Sequence, residues 1–203
     1  MKRKKQETQE ERLQRIVEAE LGLSTQSIVS HSRQGSQKEA YVAQTEKGKI
    51  FLGVVPDASA YPLGEEYQKL NDLQGSVPEY FPRPLFYTVN HGIQVLGMEF
   101  LTHQPISALE RSLDRSKEEA VVYAIGFALG VVHARTGQYT KAPTADNILA
   151  KLGQRPCVKL VDVEHFTDGS TRELQRCVER DLDLYKDHKR AFRIGLEDGI
   201  DEA

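Results

Sequence analysis

The 203-residue sequence contains no run of 18 apolar residues and only two cysteines. A transmembrane helix needs about 20 mostly apolar residues. The N-terminal stretch MKRKKQETQEE is basic and then polar, whereas a signal peptide is basic and then apolar. We therefore expect neither a membrane span nor a signal peptide. Cys157 and Cys177 lack the spacing of metal ligands and are too few for a disulfide framework, which predicts a reducing, cytoplasmic location.

The chain also lacks an excess of positive charge, since its formal net charge is −3. This value argues against a protein dominated by nucleic-acid binding, although it leaves room for a local basic patch. One such cluster exists at the N-terminus, formed by Lys2, Arg3, Lys4 and Lys5. It is either a frayed basic end leading into a helix or a segment that docks on nucleic acid or an acidic partner.

Hydrophobic periodicity divides the chain into two parts. Residues 1–22 have the apolar spacing of a helix that stops at Gly22. Three strands, one helix and a hairpin should follow, and they span residues 27–30, 40–43, 50–55, 63–73 and 86–100. A hydrophobic content of 39% is enough for a core in one domain of two small lobes, or in two short domains.

The second part predicts a long apolar helix and then a strand hairpin. Ser116 and Glu119 have the spacing of a capping box before the apolar residues 120–132. Strands at 147–150 and 158–161 should bring Asn147 and Asp162 together. An Asn and an Asp so placed suit Mg²⁺ on a triphosphate, because Mg²⁺ takes one or two protein oxygens and completes its shell with phosphate and water.

A charged helix over 171–192 should follow this hairpin. The remaining residues, 195–203, are acidic, and we expect them to be disordered.

This order of elements resembles the protein-kinase-like superfamily, closest to its aminoglycoside, choline and small atypical kinases. In that family a catalytic Asp precedes a metal-binding Asn by five positions, and a second metal-binding Asp follows on the next strand. Asn147 and Asp162 match the two metal ligands. The position of the catalytic base is Ala142, within Thr140-Lys141-Ala142. The resemblance therefore implies a site for ATP and Mg²⁺ from which the general base is missing.

The resemblance also implies an α+β, bilobal protein-kinase-like fold. A small antiparallel-sheet lobe with one helix would occupy residues 23–101, and a reduced, mainly helical lobe would occupy 102–194. The basic helix 1–22 and the acidic tail 195–203 would flank them. Asp181 matches a family Asp that anchors the backbone of the catalytic loop, and His133 matches a histidine with a local structural role.

The family's phosphate-binding lysine lies on the third strand, and this chain has Gly53 there. Lys49 shares that strand face but lies about 13 Å away along the strand. Lys38 can reach the phosphate region from the preceding turn. The resemblance pairs the lysine with a helical carboxylate, which is Glu66 here, and we expect Glu66 to turn into solvent or to find another cation, with Lys38 the nearest candidate.

The remaining nucleotide contacts implied by the resemblance lie in two short segments. Gly35 belongs to the turn whose backbone amides would cover the phosphates. Glu99 and Leu101 belong to the segment between the lobes whose backbone would face an adenine.

Three functions remain open at this point. The first is a catalytically silent binding or regulatory protein with an unidentified protein partner and a residual nucleotide site. The second is an active phosphotransferase in which Lys38 binds phosphate and Asp146 acts as the base. The third is an interaction protein that docks through its basic N-terminus.

Overall fold

The computed structural model describes residues 7–31, 38–57 and 61–203. The protein is α+β, as predicted, and its described residues form seven α-helices and ten strands. The chain separates into two compact units. The first comprises Met1–Gln68 and Arg83–Leu101, and the second comprises Lys69–Pro82 and Thr102–Ala203.

The first unit contains a five-stranded antiparallel sheet in the order β1-β2-β3-β5-β4. The strands are β1 (Thr25–Ser30), β2 (Glu39–Thr45), β3 (Gly48–Val55), β4 (Pro84–Asn90) and β5 (Ile93–Glu99). The predicted turn between β4 and β5 is confirmed. Its central residues His91 and Gly92 both have positive φ values, 48° and 84°, as a tight two-residue hairpin requires.

Helices pack on both faces of this sheet. The helix α1 (Gln9–Leu21) begins at a capping box made by Thr8 and Glu11 and ends at Gly22, whose φ of 63° suits glycine. Its apolar side chains join one face of the sheet. The helix α2 (Leu63–Ser76) contributes Leu63 and Tyr67 to a second cluster on the opposite face, with Val55 and Leu96.

The second unit is built from five helices, two small sheets and two 3₁₀ turns. The helices are α3 (Ile106–Leu109), α4 (Arg115–Thr136), α5 (Thr171–Asp181), α6 (Asp183–Asp187) and α7 (Lys189–Glu202). The strands are β6 (Gln104–Pro105), β7 (Gln138–Thr140), β8 (Ile148–Lys151), β9 (Cys157–Leu160) and β10 (Phe166–Asp168). Strands β6, β8 and β9 form one antiparallel sheet, and β7 pairs with β10.

The segment Lys69–Pro82 belongs to the second unit, although the sequence placed it within 23–101. The amide of Leu160 donates to the carbonyl of Tyr80 at 2.7 Å, and Lys159 Nζ donates to the carbonyl of Phe81 at 3.1 Å. The ring of Phe81 packs edge-on against Phe166 at 5.3 Å. These contacts attach the segment to β9 and β10.

Two helix boundaries differ from the sequence prediction. The cap of α4 is Asp114, whose carboxylate accepts from the amide of Lys117 at 2.9 Å, so the predicted Ser116 cap is wrong. The helix predicted over 171–192 is divided into α5, α6 and α7. Leu182 is extended between the first two, and His188 leaves helical geometry between the second and third.

The acidic tail predicted to be disordered is instead the second half of α7. Its glycines allow this helix to approach α4 closely. A Cβ built on Gly195 would lie 2.2 Å from the carbonyl oxygen of Tyr123, and one on Gly126 would lie 2.3 Å from that of Phe192. Gly130 and Gly199 show equally short approaches. Close packing of the two backbones therefore orders a segment whose composition alone suggests disorder.

None of the helices in the described residues combines the length and the apolar character needed to cross a membrane.

Candidate functional site

The predicted β8–β9 hairpin forms, and it brings Asn147 opposite Val161, the residue before Asp162. Ile148 pairs with Leu160, and the amide of Val161 donates to the carbonyl of Asn147 at 3.0 Å. The side-chain nitrogen of Asn147 donates to the carbonyl of Ala142 at 3.2 Å. This bond uses the amide nitrogen, so the amide oxygen is the atom of Asn147 that can bind a cation.

Asp162 lies in a backbone conformation that is uncommon for residues other than glycine, with φ of 66° and ψ of 57°. Aspartate tolerates this region better than most residues. A 3₁₀ turn over Val163–His165 follows directly. The sharp change of direction brings the side chain of Asp162 next to those of the turn that follows it.

Asp162, Glu164 and His165 form a half-buried cluster. One ligand atom from each residue lies within 4.8 Å of the others. His165 Nε2 is 3.5 Å from Asp162 Oδ2 and 3.3 Å from Glu164 Oε1. Two carboxylates suit Mg²⁺ or Mn²⁺, and the imidazole nitrogen adds affinity for a transition metal. Sequence reasoning treated Glu164 only as part of a motif and missed His165, although the D-x-E-H spacing was visible.

Lys69 on α2 supports the turn that carries this cluster. Its Nζ donates to the carbonyl of Glu164 at 3.3 Å and also to the carbonyl of Phe166. Burial lowers the pKa of the Lys69 ammonium, and the nearby charge of Lys141 lowers it further. Sequence reasoning missed this residue, because its partners are backbone atoms almost a hundred positions away.

The position expected for a catalytic base carries no ionisable group. The amide of Ala142 donates to Thr140 Oγ1 at 3.2 Å, which stabilises the loop before Asn147. The alternative base, Asp146, is exposed and accepts a hydrogen bond from Ser107 Oγ. Asp146, the residue directly before Asn147, thus accepts a hydrogen bond from a serine hydroxyl.

The loop before Asn147 is anchored by Arg180, which is itself bound by Asp181. Arg180 donates to the carbonyl of Lys141 at 2.8 Å and makes a two-pronged bond to the Asp181 carboxylate, 2.6 Å on each prong. The arginine hydrogen bond lowers the pKa of Asp181. The anchoring role expected for Asp181 therefore acts through its neighbour Arg180. His133 has the predicted local role, since its Nδ1 lies 3.3 Å from the carbonyl of Gln138.

In the first unit, Lys38 pairs with Glu66. Lys38 Nζ lies 3.0 and 2.9 Å from the two carboxylate oxygens of Glu66, whose side chain is only 7% exposed. Tyr61 donates its hydroxyl to the same carboxylate at 3.2 Å, and the ammonium of Lys38 lies 5.2 Å from the centre of the Tyr61 ring. The expectation that Glu66 would find Lys38 as its cation is confirmed.

Gly53 lies on the same face of the sheet as Lys38. Gly53 on β3 pairs with Ala40 on β2, and opposed residues of neighbouring strands share a face. Ala40 comes two residues after Lys38, so by strand alternation Lys38 lies on that face as well. No described atom lies within 4 Å of a Cβ built on Gly53. The ammonium of Lys49 lies 5.3 Å from the centre of the Phe100 ring.

The same face of the sheet contains a hollow of about 510 Å³ over β1, β2 and β3. Ligand sites commonly measure about 300 to 1,000 Å³ and are mostly apolar with a few polar groups. Its lining residues are Ser27, Val29, Ser30, His31, Val42, Gln44, Lys49 and Phe100. A valine pair, a phenylalanine and a histidine give this surface the character needed to contact a planar ring.

The other residues predicted to contact a nucleotide are Glu99, Leu101 and Gly35. Glu99 ends β5, pairs with Ile50 and donates its amide to the carbonyl of Arg83 at 2.9 Å. Leu101 is half-buried in the segment that follows. Gly35 lies outside the described residues, as does the basic segment Lys2–Lys5.

A scan against protein-family models finds no match for this chain, and a search of curated proteins finds none either. The functional interpretation therefore depends on the geometry of the two units.

Proposed function

We propose that this protein is a catalytically silent kinase-fold protein that binds a nucleotide such as ATP weakly and acts as a binding or regulatory module. The observation that carries the proposal is the ion pair between Lys38 and Glu66. A lysine held by a buried carboxylate on a sheet face is the arrangement with which kinase-like proteins bind the α- and β-phosphates. Here the lysine comes from the residue before β2 in place of the third strand.

The surroundings of this pair support a nucleotide as its ligand. The hollow on the same face of the sheet includes Val29, Val42 and Phe100, which suit an adenine ring, while the ammonium of Lys38 suits a phosphate. In the second unit, Asn147 and Asp162 offer the hard oxygen atoms that Mg²⁺ prefers, and Glu164 adds another. A Mg²⁺ bound to these residues would keep coordination positions open for water and phosphate oxygen atoms.

The absence of a base supports the silent interpretation. Phosphoryl transfer depends on positioning and electrostatics, and in kinases an Asp accepts the proton of the substrate hydroxyl. Ala142 cannot accept a proton. The alternative candidate is an active phosphotransferase in which Asp146 is the base. The Lys38–Glu66 pair supports this candidate as much as it supports the silent protein. Asp146 lies beside Asn147, however, four positions from Ala142, and one of its carboxylate oxygens already accepts a hydrogen bond from Ser107 Oγ.

Thermal melting with ATP, with and without Mg²⁺, tests nucleotide binding. A ligand that binds only the folded state at 100 times its dissociation constant stabilises it by about 2.7 kcal/mol. We expect stabilisation by ATP that increases with Mg²⁺, and we expect the Mg²⁺ increment to disappear in Asp162→Ala. An increment that persists unchanged in this variant would show that Asp162 is not a metal ligand.

A phosphotransfer assay separates the two candidates. We expect no release or transfer of the γ-phosphate at kinase rates of about 1 to 100 s⁻¹. Turnover at such rates that is lost in both Asn147→Ala and Asp146→Asn would instead establish the active phosphotransferase.

Docking through Lys2, Arg3, Lys4 and Lys5 stays a prediction. Attraction between exposed charges is screened beyond about 8 Å at physiological salt, so binding through this segment should weaken steeply as salt rises. If an acidic partner or nucleic acid binds equally well after deletion of residues 1–6, the basic segment is not the docking site.

A further inference from the structure

We propose that Cys157 is a reactive thiol, activated by His103, that forms mixed disulfides with small disulfides such as glutathione disulfide. Cys157 is the exposed first residue of β9. His103 Nε2 lies 3.5 Å from Cys157 Sγ, within hydrogen-bonding distance for sulfur. Neither residue belongs to the nucleotide or metal sites described above.

The β6-β8-β9 sheet explains how the two side chains meet. Gln104 pairs with Ala150 on β8, and Lys151 pairs with Cys157 on β9. Because β6 and β8 are antiparallel, the pairing of Gln104 with Ala150 places His103, one residue earlier, opposite Lys151. His103, Lys151 and Cys157 thus lie in one row at this end of the sheet, and the His103–Cys157 contact agrees with that placement.

This row has the chemistry of a reactive cysteine. The nucleophile in disulfide exchange is the thiolate, and adjacent Lys, Arg or protonated His favours it. The imidazole of His103 can accept the thiol proton, and Lys151 adds positive charge on the same face. Lys159 lies further along the same face of β9, and Arg155 lies in the turn. Tyr80 also lies near Cys157, together with the charges of Glu79, Arg135 and Glu202, and burial is the main cause that raises the pKa of Tyr80.

The proposed reaction is balanced with one disulfide as co-reactant. The proton of the Cys157 thiol moves to His103 Nε2, and the thiolate attacks one sulfur of glutathione disulfide. A new S–S bond forms at Cys157 as the glutathione S–S bond breaks. The departing glutathione thiolate takes the proton, so the products are the mixed disulfide and one glutathione thiol.

This modification would lie on the β8–β9 hairpin, which carries the candidate metal ligands Asn147 and Asp162 at its other end. Cys157 begins the strand whose other end leads to Asp162, and a glutathione group there adds bulk and negative charge to the β8–β9 hairpin.

The test measures the rate of mixed-disulfide formation with glutathione disulfide by intact-protein mass spectrometry. The Cys177→Ser variant isolates Cys157. Adding His103→Gln should lower the rate at pH 7 about tenfold, because the proton acceptor is lost. Adding His91→Gln, in an exposed turn of the first unit, should leave the rate unchanged. Equal rates for the His103→Gln and His91→Gln proteins would overturn the proposal.

A second measurement needs no histidine variant. The Cys177→Ser protein unfolded in urea gives the rate of the same thiol without its neighbours. We expect the folded protein to react faster than the unfolded protein at pH 6.5. A folded protein that reacts no faster than the unfolded chain at pH 6.5 would contradict activation by His103.

Discussion

Lys38 Nζ contacts both carboxylate oxygens of Glu66, at 3.0 and 2.9 Å, although the two residues are 28 positions apart. The carboxylate is almost fully buried, and its partner is about one-quarter exposed. A buried carboxylate needs a cation or hydrogen-bond donors to remain charged. The ammonium can therefore hold Glu66 in place and still present positive charge at the sheet surface, which is what phosphate binding requires.

The first prediction concerns the energy of this pair. Lys38→Met should destabilise the fold by about 1 to 3 kcal/mol, because it removes the cation beside a buried carboxylate. Glu66→Gln should make a subsequent Lys38→Met substitution less costly. Urea unfolding of the wild type, both single variants and the double variant measures the coupling. Additive losses would show that the two side chains do not stabilise one another.

The second prediction is that Gly53→Lys folds and restores a cation to the same sheet face. The built Cβ meets no described atom within 4 Å, so overpacking, which costs about 1 to 3 kcal/mol, is not expected. In the Lys38→Met background, Gly53→Lys should recover part of the lost stability by approaching Glu66. Gly53→Met serves as the uncharged control. Equal stability of the lysine and methionine variants would show that the new ammonium does not reach Glu66.

The third prediction concerns the contact between α4 and α7. Gly126→Ala should destabilise the protein by about 1 to 3 kcal/mol, because its Cβ would lie 2.3 Å from a backbone oxygen of Phe192. Gly75→Ala, in α2, is the matched control, because its Cβ meets no described atom within 4 Å. This control should stabilise the fold by up to about 1 kcal/mol, since alanine favours the helix. Thermal melting that ranks the two variants in the opposite order would contradict the packing.

The sequence predicts the features of this fold that are determined locally. Alternating burial and tight turns identify the five strands of the large sheet, and the Asn90-His91-Gly92 turn follows from its residue types. The β8–β9 hairpin and the neighbouring positions of Asn147 and Asp162 follow in the same way. These features need no knowledge of distant residues.

The remainder depends on contacts between distant residues. Helix α7 is ordered because Gly195 and Gly199 fit against α4, and an acidic composition does not reveal this fit. Arg180 reaches the carbonyl of Lys141, a backbone atom that has no signature in the sequence. The link between Lys38 and Glu66 was predictable only because the resemblance left the carboxylate without its usual partner.

The fourth prediction is a pH dependence at Asp181. Its pKa in the folded protein is lowered by the hydrogen bond from Arg180, so the unfolded state binds more protons as the pH falls. The stabilisation is complete above the ordinary aspartate pKa of about 3.9 and is lost as the pH falls through the lowered value. The free energy of unfolding of wild type and Asp181→Asn should therefore differ more at pH 6 than at pH 3. A difference that is the same at both pH values would contradict this account.

Calorimetric titration of ATP, in the presence of Mg²⁺, into wild type, Lys38→Met and Lys47→Met tests the central claim most directly. Lys47 is an exposed lysine of the β2–β3 turn, so its substitution removes the same charge away from Glu66. We predict that the wild type and Lys47→Met bind ATP alike, and that Lys38→Met binds at least about tenfold more weakly, which corresponds to about 1.4 kcal/mol. Equal affinity in Lys38→Met, or no detectable binding by the wild type, would contradict a nucleotide site built on the Lys38–Glu66 pair.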